Sequence, residues 1–270
     1  MFTTNPFASL SASLSPAVMQ TYVVVMFVLV VAGTLFDVVH KGSARYFFRN
    51  WRKAKSRASK QLGGGELVSI AVQTGVVDVL TSGEFCNPRR RLAHLLGMYG
   101  FVLYVLATVV LVFNPAAGAL WAQLWWLGGL MICLGGYWFW FFIRVDVAAE
   151  GHSPFRLVRA DLFILSLLAS ATLALIWAAA GGGAGVLFGL YLLATTVLFA
   201  GVPWSKFAHM FFKPAAAFEK RMTRADGTAE NLPTLTRDDP EQQKRHSMEL
   251  LRNAPMDMGL GIKREAPRHY

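Results

Sequence analysis

Five long apolar blocks constrain the fold of this 270-residue chain more than any other feature. They cover about residues 16–36, 92–113, 119–143, 158–180 and 186–212, and the stretches 1–36, 92–143 and 162–205 contain no Lys, Arg, Asp or Glu. Each block has roughly the 20 residues that a helix needs to cross a hydrocarbon core. None shows the polar-apolar alternation of a transmembrane strand. The pattern predicts an all-α membrane protein, a bundle of five transmembrane helices.

The charged residues predict the orientation of this bundle. Of the 26 Lys and Arg residues, 11 lie in 37–91, 3 in 144–161 and 12 in 206–270, and all 16 acidic residues fall in the same segments. Five crossings place these three segments on one face, and Lys and Arg collect on the cytoplasmic side. We therefore expect an outer N-terminus and a cytoplasmic C-terminus. No basic residue precedes the first block, which favours an uncleaved anchor over a signal peptide.

The charge map also predicts how the chain is organised. We expect a short outer N-terminus (1–16), a membrane domain (17–214) with a basic cytoplasmic loop (41–91), and a polar tail (215–270). The stretch 41–60 mixes basic and aromatic residues, which favours an interfacial helix that anchors to lipid headgroups or docks a partner. The tail lacks an apolar face, so we expect it to be extended without a partner. This topology explains the net charge of +10 without nucleic acid.

Two histidines are the main candidates for chemistry. His94 opens the second block and His209 lies near the inner end of the last, so both are expected at similar depth on the cytoplasmic side. A polar group in a membrane helix is costly unless it is paired or liganded. Neutral imidazole is a good axial ligand for haem iron, so the two rings could hold one b haem; the alternative is hydrogen bonding at headgroup level. Gly97 and Gly100 would either admit the macrocycle or aid helix packing.

Two further residues leave alternatives open. His40 follows Asp37 at comparable depth, so it could replace either haem ligand or form an ion pair with Asp37. Asp161 lies close in sequence to Arg156 and Arg159, and a local ion pair is the simplest interpretation. Two more specific interpretations are that the arginines contact haem propionates, or that Asp161 delivers protons to a quinone.

Three stretches resemble a known family. Five spans with inward histidines on the second and fifth resemble the haem b gamma subunit of respiratory nitrate reductase. Residues 86–94, residues 155–162 and the run Pro-Trp-Ser-Lys-Phe-Ala-His at 203–209 are more similar to relatives of that subunit in dissimilatory sulfur metabolism, the membrane subunits of sulfite-reductase-linked and quinone-interacting oxidoreductase complexes. The closest similarity in size and tail is to the membrane anchor associated with dissimilatory adenylylsulfate reductase. The resemblance covers about residues 17–214, and the run ending at His209 is its most specific part.

The resemblance also implies what is missing. Dihaem members carry a second histidine ten residues after the first on the second span, and eighteen residues before the last on the fifth. Those positions here are Tyr104 and Tyr191. Phenol is a poor ligand for low-spin haem, so the resemblance implies at most one haem, on the cytoplasmic side. The two tyrosines would either pack in the core or hydrogen-bond a quinone.

The resemblance implies a function as well. It predicts an electron-transfer subunit of the bacterial cytoplasmic membrane that links a cytoplasmic iron–sulfur or flavin oxidoreductase, adenylylsulfate reductase, to membrane quinone. The substrate chemistry would then take place in the partner. The alternative is a haem-free scaffold that only docks this partner. A transporter is disfavoured because the chain shows no internal repeat.

Overall fold

The structure, a computed structural model, describes residues 2–83, 85, 87–144, 155–205 and 209–228. Every regular element in these ranges is helical. The α-helices are α1 (Pro16–His40), α2 (Ser43–Arg57), α3 (Gly64–Gln73), α4 (Pro88–Phe113), α5 (Ala119–Trp138), α6 (Leu162–Ala179), α7 (Val186–Ala200) and α8 (His209–Ala225). Two π-helical turns, Thr74–Leu80 and Phe139–Ile143, extend α3 and α5. Short 3₁₀ turns cover Ala8–Ala12, Arg159–Asp161 and Val202–Trp204.

Four helices are long and apolar enough to cross a membrane. They are α1, α4, α5 together with its π-helical turn, and α6. Large apolar side chains cover their outer surfaces, for example Val28 (58% exposed) and Leu134 (64% exposed). Such surfaces are costly in water and suit a hydrocarbon surrounding. The predicted all-helical class is confirmed, and four of the five predicted crossings are helices that suit a membrane; α7 is apolar but only 15 residues long.

The last apolar block is not the single helix that the sequence predicts. α7 ends at Ala200, a 3₁₀ turn follows at Val202–Trp204, and a new helix begins at His209. Pro203 explains the break, because proline has no N–H and its ring clashes with the preceding helical turn. The structure describes α8 from His209 onward, so His209 lies after this break and outside α7.

The turn after α7 is fixed against α1. A Cβ atom added to Gly33 would lie 3.0 Å from the Cβ of Val202 and 3.2 Å from the Cδ of Pro203. Val202 is completely buried. Glycine at position 33 thus lets the first part of the family-like run 203–209 pack directly on the first helix.

The chain divides into two compact units, and the first is Met1–Tyr46 with Asn87–Lys213. Within it α4 packs on α5, α5 on α6, and α6 on α7, while α1 packs on α7 and the following turn. The contact of α4 with α5 is a close backbone approach: a Cβ on Gly128 would lie 2.6 Å from the amide nitrogen of Tyr104 and 2.8 Å from the carbonyl oxygen of Gly100. Small residues allow membrane helices to approach in this way.

The predicted outer N-terminus is folded against this unit. The ring of Phe7 lies 5.8 Å from that of Trp125 and 5.4 Å from that of Trp177. The side-chain amide of Asn5 donates a 2.9 Å hydrogen bond to the carbonyl oxygen of Leu111. Phe7 is apolar enough to be buried and Asn5 satisfies a carbonyl at the end of α4, so the segment packs on the helices.

The second unit comprises Phe47–Cys86 with the chain from Pro214 onward, and the structure describes it as far as residue 228. The helix α2 lies within the predicted interfacial stretch 41–60. The expected extended tail is wrong for its first residues, because α8 continues to Ala225. The ring of Phe218 lies 6.1 Å from that of Trp51, and Met222 is buried. These two side chains supply an apolar face; residues 229–270 lie outside the described part.

Candidate functional site

A cavity of about 510 Å³ lies inside the first unit. Its walls come mainly from α1, α4, α6 and α7, with single residues from α5 and α8. Most of the lining side chains are apolar, and a few carry hydroxyl groups. Pockets for small molecules have this range of volume and this mixture of many apolar and few polar groups. The cavity is therefore the candidate site of the described part of the chain.

The cavity brings together the two tyrosines that replace histidines of the dihaem pattern. The Tyr104 hydroxyl donates a 2.9 Å hydrogen bond to the Tyr191 hydroxyl, and both residues are buried (8% and 4% exposed). The ring of Trp125 lies 5.3 Å from Tyr104, and Trp177 stacks on Tyr191 at 5.8 Å. Two ligands on opposite sides of a metal with bonds of about 2 Å stand about 4 Å apart. The direct hydrogen bond is therefore too short for an iron ion between these oxygens.

Other hydroxyl groups of the cavity wall are mostly paired within the protein. The hydroxyls of Ser170 and Thr195 are 2.7 Å apart, and the Tyr22 hydroxyl donates to the carbonyl oxygen of Leu192 at 3.0 Å. The exception is Thr34, whose Oγ1 is buried and has no hydrogen-bond partner among the described residues. A buried polar atom of this kind is rare in folded proteins and requires an explanation.

His94 shares one stripe of α4 with residues that line the cavity, although neither His94 nor Gly97 is itself a lining residue. Phe101, Val105 and Thr108 line the cavity, and positions 94, 101, 105 and 108 fall on one stripe of a helix with 3.6 residues per turn. His94 is half-buried and lies two turns before Phe101 along α4. A Cβ on Gly97 would meet no described atom within 4 Å, so there is open space beside this one residue.

Gly100 does not contribute to that clear space. A Cβ at this position would lie 2.8 Å from the Cβ of Met131 and 2.9 Å from the Gly128 carbonyl oxygen. Of the two interpretations, helix packing therefore holds for Gly100. Only Gly97 leaves room beside the helix backbone for a flat group.

The structure describes the backbone of His209, which is the first residue given for α8, but not its side chain. The next residue, Met210, is one of the residues that line the cavity. The pairing of His94 with His209 around one iron therefore stays a prediction.

His40 is exposed at the end of α1, and its ring stacks on Phe36 at 5.2 Å. The carboxylate of Asp37 pairs with Lys41. The predicted alternative of an Asp37–His40 ion pair is therefore not formed, because the lysine one turn further along the helix meets the buried carboxylate.

Asp161 has an ion-pair partner that the sequence pattern does not indicate. Its carboxylate forms an ion pair with Arg144, at the end of the π-helical turn after α5, and accepts a 2.9 Å hydrogen bond from the amide of Val158. The expected local pair with Arg156 or Arg159 is not the one that the structure shows, because Arg144 meets the carboxylate instead. The one available signal was that Arg144 is the first charged residue after the third apolar block. Arg156 and Arg159 stay candidates for propionate contacts.

No group of three or more His, Cys, Asp or Glu residues that could hold a metal occurs in the described ranges. No protein-family model, curated protein or solved structure matches this chain.

Proposed function

We propose that the chain is an integral membrane anchor and electron-transfer subunit of a bacterial oxidoreductase complex. It would link a cytoplasmic iron–sulfur or flavin oxidoreductase to the quinone pool of the cytoplasmic membrane. The family resemblance suggests that this oxidoreductase is adenylylsulfate reductase. The chain would cross the membrane five times, with its N-terminus outside and its C-terminus inside. The four long apolar helices and the confinement of charge to three segments support this topology.

The fifth crossing would combine α7 with the turn that follows it. A 15-residue helix is about 23 Å long, which is less than the roughly 30 Å of a hydrocarbon core. The turn Val202–Trp204 extends the apolar chain and is fixed against Gly33 of α1. The polar residues would then begin where the membrane ends, at Ser205.

The observation that carries the electron-transfer proposal is the cavity face of α4. His94 shares this face with lining residues and has open space beside Gly97, and Met210, the neighbour of His209, lines the same cavity. A flat macrocycle at this end of the cavity would be held by the imidazoles of His94 and His209. Such a haem would supply reversible one-electron transfer. Arg156 and Arg159, both exposed, are available for its propionates.

An absorbance spectrum of the purified protein tests this proposal. We expect a b-type band after reduction that is lost in His94→Ala and His209→Ala and kept in the control His40→Ala. Absence of the band in protein produced with ample haem would remove the haem from the proposal. A band that survives in His94→Ala but is lost in His40→Ala would reassign the ligand.

The second unit favours one alternative, a haem-free scaffold. Its helix α2 carries Arg49, Arg52 and Lys53 together with exposed Phe48, a combination that suits an acidic protein surface or anionic headgroups. The histidine variants separate the two functions. If both variants bind the oxidoreductase to membranes and transfer electrons at the wild-type rate, the chain acts as a scaffold.

A further inference from the structure

The hydrogen bonds of the tyrosine pair do not account for all its hydrogens. Tyr104 and Tyr191 carry two hydroxyl hydrogens, and the bond between them uses one. No described residue accepts the hydrogen of Tyr191. Thr34 is another residue of the cavity wall, and its buried Oγ1 also has no partner among the described residues. A mostly apolar cavity wall thus contains one unused donor and one unused hydroxyl, which is unfavourable unless a ligand meets them.

The cavity lies next to the surface that would face lipid. A separate groove on the outside of α1 and α4 shares five lining residues with it: Val23, Phe27, Val31, Leu35 and Val109. The outer surface of α1 along this groove is largely exposed and apolar, so in a membrane it would face acyl chains. Movement of the shared side chains would admit a molecule dissolved in the bilayer sideways between α1 and α4.

We propose that this cavity binds an apolar bilayer molecule that carries a carbonyl oxygen, and that the Tyr191 hydroxyl donates a hydrogen bond to that oxygen. A plain hydrocarbon chain would fill the volume but leave the donor unused. The carbonyl can come from the ring of an isoprenoid quinone or from the ester of a glycerolipid. The proposal rests on the membrane location in the proposed function and does not depend on the haem. Tyr104 lies ten residues from His94, about 15 Å along the helix axis.

Two pairs of variants test the cavity and its donor separately. Val105→Phe places a ring in the cavity, whereas the matched Val102→Phe adds the same ring on the exposed side of α4. Tyr191→Phe is combined with Tyr104→Phe, so that the Tyr104 hydroxyl cannot take over as donor, and together they remove the donor with little change of shape. The control for this pair of substitutions is Tyr137→Phe, because Tyr137 does not line the cavity and its hydroxyl lies 2.9 Å from that of Thr172.

The first measurement is solvent extraction of each purified protein, with quinones and ester lipids quantified by mass spectrometry. The second is quenching of tryptophan fluorescence by decylubiquinone in lipid nanodiscs, with methyl oleate as competitor. Trp125 and Trp177 contact the tyrosine pair, so their emission reports on the cavity. Saturable quenching by decylubiquinone would identify a quinone ring as the source of the bound carbonyl. Competition by methyl oleate, together with co-purified ester lipid, would identify a lipid ester as that source.

We expect Val105→Phe and the combined Tyr104→Phe and Tyr191→Phe variant to weaken binding at least about fivefold, the effect of one lost hydrogen bond or of a blocked volume. Both controls should stay within twofold of wild type. Absence of saturable binding, equal affinities of the two phenylalanine insertions, or an unchanged affinity of the combined tyrosine variant would overturn the proposal. The haem spectrum of the same preparations reports separately on the electron-transfer function.

Discussion

Arg144 and Asp161 form an ion pair that joins the end of the helical segment α5 to the start of α6. Their side chains are only 7% and 13% exposed. The Arg144 guanidinium also donates a 2.7 Å hydrogen bond to the Arg156 carbonyl oxygen and lies 3.8 Å from the centre of the Trp140 ring. Both charges are therefore well satisfied, which is the condition under which a buried pair persists.

Removal of one member of this pair should be far more costly than removal of both. Asp161→Leu or Arg144→Met leaves a buried charge, and we expect either to lower the free energy of unfolding by about 3 kcal/mol. The double variant, with both substitutions, should lose clearly less unfolding free energy than the two single variants lose together. Thermal unfolding in detergent, followed by tryptophan fluorescence, measures this. Additive losses would mean that the two groups do not interact.

The close approach of α4 to α5 predicts a strong position effect among glycines. In Gly128→Ala the new methyl group would overlap the Tyr104 backbone, and we expect a loss of about 2 kcal/mol. Gly189→Ala is the matched control, because a Cβ there meets no described atom within 4 Å and alanine favours a helix. The thermal midpoint should fall in the first variant and stay or rise in the second. Equal midpoints would contradict the packing described.

The contact between α1 and the turn after α7 can be tested at Gly33. Gly33→Val would push Val202 and Pro203 away from α1, with an expected loss of about 2 kcal/mol. Ala32→Val adds similar bulk on the exposed side of the same helix and should change stability by less than about 0.5 kcal/mol. Unfolding midpoints of the two variants give the comparison. An unfolding midpoint of Gly33→Val equal to that of the wild type would show that the turn does not need this contact.

The second unit predicts a pH effect at Glu219. Burial raises the pKa of this carboxyl above its usual value, and its Oε1 is buried with no hydrogen-bond partner among the described residues. Because the folded-state pKa is raised, the protonated form favours folding. Stability from this group is complete below the unfolded pKa and is lost as pH rises through the folded one. Glu219→Gln should therefore stabilise the protein at pH 7 by less than about 1 kcal/mol, with no gain at pH 4. A gain of the same size at both pH values would show another cause.

Hydropathy predicted the helices well because apolar length is a local property. The blocks at 92–113 and 119–143 correspond closely to α4 and to α5 with its π-helical turn. The last block was read as one helix because all its residues are apolar, although Pro203 already marked a break. Whether a proline kinks a helix or ends it depends on packing, here on the space that Gly33 leaves on α1.

The site was harder to predict because its contacts join distant parts of the chain. Spacing singled out Tyr104 and Tyr191, but their hydrogen bond across 87 residues required the fold. The partner of Asp161 was missed because sequence proximity favoured Arg156 and Arg159 over Arg144. The N-terminal residues were missed because a short polar segment gives no periodic signal, even though Phe7 is buried between two tryptophans.

The packing of α1 has a consequence for how the protein is made. Tyr22 donates its hydrogen bond to Leu192, 170 residues later, and Gly33 meets a turn that follows α7. At ribosomal speeds of about 5–20 residues per second, α1 waits roughly 10 to 30 s for these contacts. The helix α1 is thus made long before its packing partners, so truncated chains that end before α7 should expose it to insertion chaperones and membrane proteases.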